Sequence, residues 1–71
     1  MKNIKINTDT INLDQFLKWA GITETGGEAK ALIQEGRVKV NGIMEDRRSH
    51  SLKNGDIIQL KGINEEYRVD N

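Results

Sequence analysis

The sequence predicts an α+β domain in which two helices pack on a small, mostly antiparallel sheet. Three observations carry this. Two stretches in the first half place apolar residues at i, i+3, i+4 and i+7, the spacing of one helix face. Stretches on either side alternate apolar and polar residues with the period of a half-buried strand. Asn41-Gly42 stands between two such stretches as the strongest short hairpin signal. The chain has 71 residues. At roughly 100–200 residues per domain that is room for one, spanning 1–71.

Ile4 and Ile6 alternate with Lys2, Lys5 and Asn7 as a first strand, which Thr8-Asp9-Thr10 ends. The first helix then starts at Asn12, an expected N-cap, with Gln15 completing a capping box. Leu13, Phe16, Leu17 and Ala20 form its buried face, and Gly21 ends it in the left-handed conformation. Trp19 lies roughly 60° off that face at about 100° per residue and is expected at the core margin rather than stacked on a base. Thr25-Gly26-Gly27-Glu28 is a second capping box. Ala29, Leu32, Ile33 and Gly36 repeat the helical spacing, with Gly36 as the residue just past the end.

The chain beyond Gly36 is strand-like. Val38 and Val40 alternate with Arg37 and Lys39, and Asn41-Gly42 suits a type I′ turn, which needs positive φ at both positions. Ile43-Met44-Glu45 returns as the partner strand. Asp46 to Ser51 is polar and basic, a loop or irregular edge strand. Asn54-Gly55-Asp56 is a turn, Ile57 to Lys61 a strand, Gly62-Ile63-Asn64 a turn, and Tyr67-Arg68-Val69 a last strand. The expected order is β-α-α-β-β-β-β. Leu13, Phe16, Leu17, Leu32, Ile33, Val38 and Val40 are the expected core.

Composition excludes several function classes. With no Cys there is no disulfide framework and no thiolate metal site. His50 alone cannot build a metal centre, so no metal and no cofactor is expected. A chain this short has little material to wrap a deep pocket, and it lacks a second His or an evident carboxylate pair, so catalysis is not expected. No apolar run approaches the roughly 18–20 residues of a membrane span, and no apolar signal core stands behind the N-terminus. A soluble, cytoplasmic, monomeric protein without a membrane role is the expectation.

Eleven Lys+Arg against eleven Asp+Glu give zero net charge, which argues against holding nucleic acid by bulk positive charge. The distribution is uneven. Residues 37–53 carry Arg37, Lys39, Arg47, Arg48 and Lys53 against Glu45 and Asp46, a net +3. The flanks are −1 over residues 1–36 and −2 over residues 54–71. Arginine's planar fork suits bidentate phosphate contact. The second helix adds free backbone N–H groups at its start, where Gly26 and Gly27 let an anion approach, although Glu28 in the same turn opposes one.

Four segments in order form a specific pattern: Asn12-Leu13-Asp14-Gln15-Phe16-Leu17-Lys18, Thr25-Gly26-Gly27-Glu28-Ala29-Lys30-Ala31-Leu32-Ile33, Gly36-Arg37-Val38-Lys39-Val40-Asn41-Gly42 and Leu52-Lys53-Asn54-Gly55-Asp56-Ile57-Ile58. This pattern, over about residues 10 to 61, resembles the RNA-binding domain of small-subunit ribosomal protein S4, the αL motif. Gly26-Gly27 and Arg47-Arg48 look most like the small stand-alone bacterial members of the YaaA type. The resemblance implies a non-catalytic module for structured RNA, commonly ribosomal RNA, in ribosome assembly or a ribosome-associated role. It also implies a surface built from the second helix's start and the neighbouring hairpin. Thr25 matches the family's usual Ser. Gly26 and Asn12 stand where arginines are common, and Arg47 and Arg48 are placed to replace that charge from a neighbouring loop. The site set so implied is Thr25, Gly26, Gly27, Lys30, Arg37, Lys39, Asn41, Arg47, Arg48, His50 and Lys53.

Two other classes compete. Two helices with a short turn suit a DNA-binding helix-turn-helix, but Gly26, Gly27, Glu28 and Lys30 are a poor set for base edges. A protein-interaction module without nucleic acid is the third reading. Leu52 to Ile58 also resembles ubiquitin-like sulfur carriers, whose activation needs a terminal Gly-Gly where this sequence has Val69-Asp70-Asn71.

Overall fold

A computed structural model describes residues 1–71. The elements are β1 (Lys2–Lys5), β2 (Thr10–Asn12), α1 (Leu13–Trp19), α2 (Gly26–Gln34), β3 (Val38–Val40), β4 (Ile43–Met44), β5 (Ser51–Lys53), β6 (Ile57–Leu60) and β7 (Glu66–Asp70). Five strands make one sheet in the order β1-β7-β6-β3-β4, and β2 pairs separately with β5. The pairings are antiparallel except β1 with β7, which is parallel and aligns Ile4 with Val69. A parallel pair needs a long crossover. Here the whole intervening chain supplies it, so the two ends of the chain lie side by side.

The strand alternation decides which face is covered. Val38, Val40, Ile58, Leu60 and Val69 turn one sheet face inward and are buried. The helices lay Leu13, Phe16, Leu17, Ala29 and Ile33 on that face, and Leu52 of β5 and Ile6 close its margins. Leu32, expected in the core, is only half-buried at its edge. The opposite sheet face is open and carries Met44, Lys39, Gln59 and Glu66 in one cross-strand row.

Both helices end as the glycines predict. Gly21 has φ +76° and Gly36 φ +74°. Beyond each, two N–H groups turn back onto the last turn: Gly21 to Lys18 O and Ile22 to Leu17 O, then Gly36 to Ile33 O and Arg37 to Leu32 O. This is the paired Schellman pattern. In the hairpin, Asn41 (φ +52°) and Gly42 (φ +83°) both take the positive φ of a type I′ turn, and Val40 faces Ile43.

Three expectations fail for identifiable reasons. Thr10 does not merely break the first strand. It opens β2, whose partner β5 begins at Ser51, the last residue of the segment read as a loop or irregular edge strand. Each of these strands holds one apolar residue, Ile11 or Leu52, so no alternation marks either. Asn12 occupies the N-cap in extended conformation but makes no side-chain cap bond, and the Gln15 capping box does not form. Trp19 does not pack at the core margin; it is 56% exposed, with its indole N–H donated to the Lys5 carbonyl at 2.7 Å.

Candidate nucleic-acid interface

The start of α1 is where the basic loop meets the helices. With no cap from Asn12, the free N–H groups of Leu13 and Asp14 are satisfied from far along the chain. Leu13 N donates to His50 O at 2.9 Å, and Asp14 N to Arg48 O at 3.1 Å. The β2–β5 ladder aligns Asn12 with Ser51 and holds this register. The segment carrying Arg47, Arg48 and His50 is therefore bound to α1 rather than swinging free.

Glu45 organises the interior of that loop. Its carboxylate accepts from Arg47 Nε at 2.9 Å, Arg47 Nη2 at 3.1 Å and the Arg47 backbone N–H at 3.1 Å. His50 Nδ1 lies 3.1 Å from Oε1, the oxygen that also accepts from Arg47 Nη2. The Arg47 fork beside it holds the Glu45 carboxyl down at about 2, against an ordinary value of 4.5. The same hydrogen bond raises Arg47 above the usual guanidinium range. Arg47 is thus committed to Glu45. Arg48, exposed and without an ion pair, is the loop's free cation.

A second cluster joins the hairpin tip to the turn before β6. Asp56 is buried and accepts from Asn41 Nδ2 at 3.0 Å and the Lys53 backbone N–H at 3.0 Å, with Lys53 Nζ at 3.6 Å. Burial alone would raise the Asp56 carboxyl, but these donors outweigh it and its value is lowered. Asn41 also accepts from Ile57 N–H at 2.9 Å, so both ends of its amide are used inside the fold.

The α2 start has the local cap its sequence predicts. Thr25 Oγ1 accepts from Glu28 N–H at 3.1 Å, and the Glu28 carboxylate sits 3.5 Å from the same hydroxyl. That carboxylate puts negative charge at the positive end of the helix, beside Gly26 and Gly27. Lys30, exposed and unpaired, lies one turn further on.

The fold separates residues that are neighbours in sequence. Lys39 projects from the open sheet face, away from the helices. Arg37, paired with Glu35 at 3.1 Å, and Lys39 line a cleft of about 540 Å³ that also holds Lys61, Glu65 and Glu66. The +3 segment is therefore not one patch. Part faces out from the sheet, part is neutralised by Glu45 and Asp56, and Arg48 stands free on α1. Glu45 and Asp56, the two organising acids, were not among the expected site residues. Glu45 followed by Arg47 was the available signal for the first, and Lys53 three residues before Asp56 for the second.

The profile of the family described as "S4 domain" matches residues 4–70. The chain is 41% identical over 59 residues to the probable ribosome maturation protein RlbA of Bacillus subtilis, spanning 83% of each chain. It is 36% identical over 52 residues to YbcJ of Escherichia coli, spanning 73% of this chain and 74% of that one. The solution structure of E. coli YbcJ, described as an αL motif involved in RNA-binding, superposes with a TM-score of 0.74 at 29% identity, over 100% of this chain and 89% of that one. The fold also recurs in 30S ribosomal protein S4e of Thermoplasma acidophilum, with a TM-score of 0.64 at 23% identity over 87% of this chain and 32% of that one.

Proposed function

This chain belongs to the S4 domain family, and from that premise we propose that it is a non-catalytic module that binds structured RNA during ribosome maturation. Ribosomal RNA is the target in this reading. The chain acts in the cytoplasm as a single monomeric unit, and it stands with the small YaaA-type members of the family. The observation that carries the proposal is the attachment of the Arg48 loop to α1. Arg48 O sits on Asp14 N–H at 3.1 Å, two residues from Asn12, a position where the family commonly has arginine. A free arginine whose backbone is anchored beside that position supports the loop's replacing the missing charge. Its backbone is already ordered, so less conformational entropy is lost on phosphate contact.

Arg and Lys contacts to phosphate position an RNA, while the fold reads its shape. Each such contact adds roughly −0.7 to −0.9 to the slope of log K against log salt. Salt titration of binding to ribosomal RNA fragments checks this; no binding at low salt, or a salt-independent affinity, defeats the proposal. The geometry also ranks the two arginines. Arg48→Ala lowers the slope by about one. Arg47→Ala lowers it less, because Arg47 must leave Glu45 to reach a phosphate. Equal effects would place the contact elsewhere.

A further inference from the structure

Trp19 remains outside the phosphate-binding surface. It lines a groove along α1 with Ile11, Gln15 and Lys18, about 460 Å³ in volume, which continues past Asn7, Thr8 and Thr10 as a space of about 300 Å³. We propose that this groove takes an unpaired RNA base stacked on the Trp19 indole, with Lys18 on the adjoining phosphate. The inference rests on the RNA-binding reading and adds a contact of a different chemical kind.

Four observations converge on that occupant. The indole is 56% exposed, yet its N–H is already donated to Lys5 O at 2.7 Å. The ring is thereby held in one orientation, and it is its face rather than its polar edge that is offered. A fixed aromatic face is the platform on which bases stack irrespective of sequence. The groove lining contains no carboxylate, in a chain with eleven Asp+Glu, and its charged member is Lys18. That suits a polyanion. Gln15 places an amide, donor and acceptor both, within the same groove, able to meet a base edge.

Placement agrees with this. Arg48 is tied to Asp14 at the start of α1, and Trp19 closes the same helix. Asp14 and Trp19 are separated by roughly 7–8 Å along the axis and about 140° around it, so an unpaired segment that meets both passes around the helix. A protein partner fits less well. A stable interface covers about 800 Å² and roughly 20–30 residues per side, whereas eight residues line this groove.

The chain has one Trp, so its emission reports on the site directly. The full chain is titrated with a stem-loop fragment of ribosomal RNA and with a duplex in which the same loop is fully paired. The expected result is quenching by the stem-loop and not by the duplex. Trp19→Leu should weaken stem-loop binding roughly 5- to 100-fold, the worth of one base–aromatic stack. Trp19→Phe should retain most of the affinity although it loses the bond to Lys5, a pattern that a merely structural tryptophan would not give. Lys18→Ala should lower the salt slope by about one. Stem-loop binding with unchanged emission, or equal affinity in a folded Trp19→Leu, overturns the stacking site while leaving RNA binding intact. Wild-type protein that binds neither RNA at low salt overturns both readings together.

Discussion

Helix α2 is capped from within and α1 from a distance. At α2, Thr25 Oγ1 takes the Glu28 N–H three residues on, a bond that closes within one turn. At α1, Asn12 makes no cap bond, and the carbonyls of Arg48 and His50, more than thirty residues downstream, take its place. The difference has a functional consequence. A local cap stabilises its own helix and nothing else. A cap supplied by another segment also fixes that segment, and here the segment carries the loop's free arginine. The start of α1 is therefore both a helix terminus and the mount of the candidate RNA contact.

The largest way to break the contrast is through β5. Leu52 is fully buried and holds the β2–β5 pair against the core. Leu52→Ala should cost about 2–5 kcal/mol in chemical denaturation. Hydrogen exchange should show the Leu13 and Asp14 amides losing protection before that of Glu28. Equal loss at both helix starts would mean that the loop does not cap α1 independently.

A smaller effect sharpens the contrast from the other side. Thr25→Ala removes a formed cap and should cost about 1 kcal/mol. Asn12→Ala removes a residue of the same cap class that makes no cap bond, and should stay within about 0.5 kcal/mol of wild type. Thermal or urea unfolding of the two variants checks the pair. Similar losses at both would return α1 to an ordinary Asn cap.

The smallest effect is in acid. Glu45 has its carboxyl held at about 2 in the folded chain, against 4.5 for the free group. A depressed carboxyl stabilises the fold fully above the unfolded value. That contribution fades as pH falls through the mid-fours and is gone once pH has passed below about 2. In Arg47→Ala the Glu45 carboxyl should titrate nearer its ordinary range, as followed by NMR of the side-chain carboxyl. A value unchanged near 2 would show that Arg47 is not what holds it. The Glu45 side chain keeps 12% of its exposure and Arg47 70%, so solvent screening keeps the effect on stability small.

Much of the fold was legible because its signals are local. The apolar face of α1, the Thr25 cap, the glycines at positions 21 and 36 and the Asn41-Gly42 turn each act over a few neighbouring residues, and each stands where the sequence placed it. β2 and β5 were not legible, because three-residue strands with one apolar residue each leave no period to read. Trp19 was misplaced because angular position on a helix wheel does not reveal whether another element covers that side. The candidate site was readable as a list of cations but not as a surface. Arg37, Arg47 and Lys53 each pair with an acid two or three residues away, Glu35, Glu45 and Asp56, whereas the placement of Lys39 and Arg48 is set by the sheet and by the clasp on α1.

The sequence by itself determined the two helices, three of their four ends, the hairpin and the face of each long strand that turns inward, since hydrophobic period and backbone sterics operate between near neighbours. The αL pattern carried by those elements was enough to place the chain in its family. Only the tertiary structure decided how the basic loop and the hairpin tip are anchored. Glu45 draws in Arg47 and His50, Asp56 draws in Lys53 and Asn41, and the α1 start clasps the loop that leaves Arg48 outside. The Glu45 and Lys53–Asp56 pairings close over two to five residues of chain, whereas the Asn41–Asp56 bond and the clasp of the loop on α1 join segments that only packing brings together, because such contacts depend on distance in space rather than along the chain.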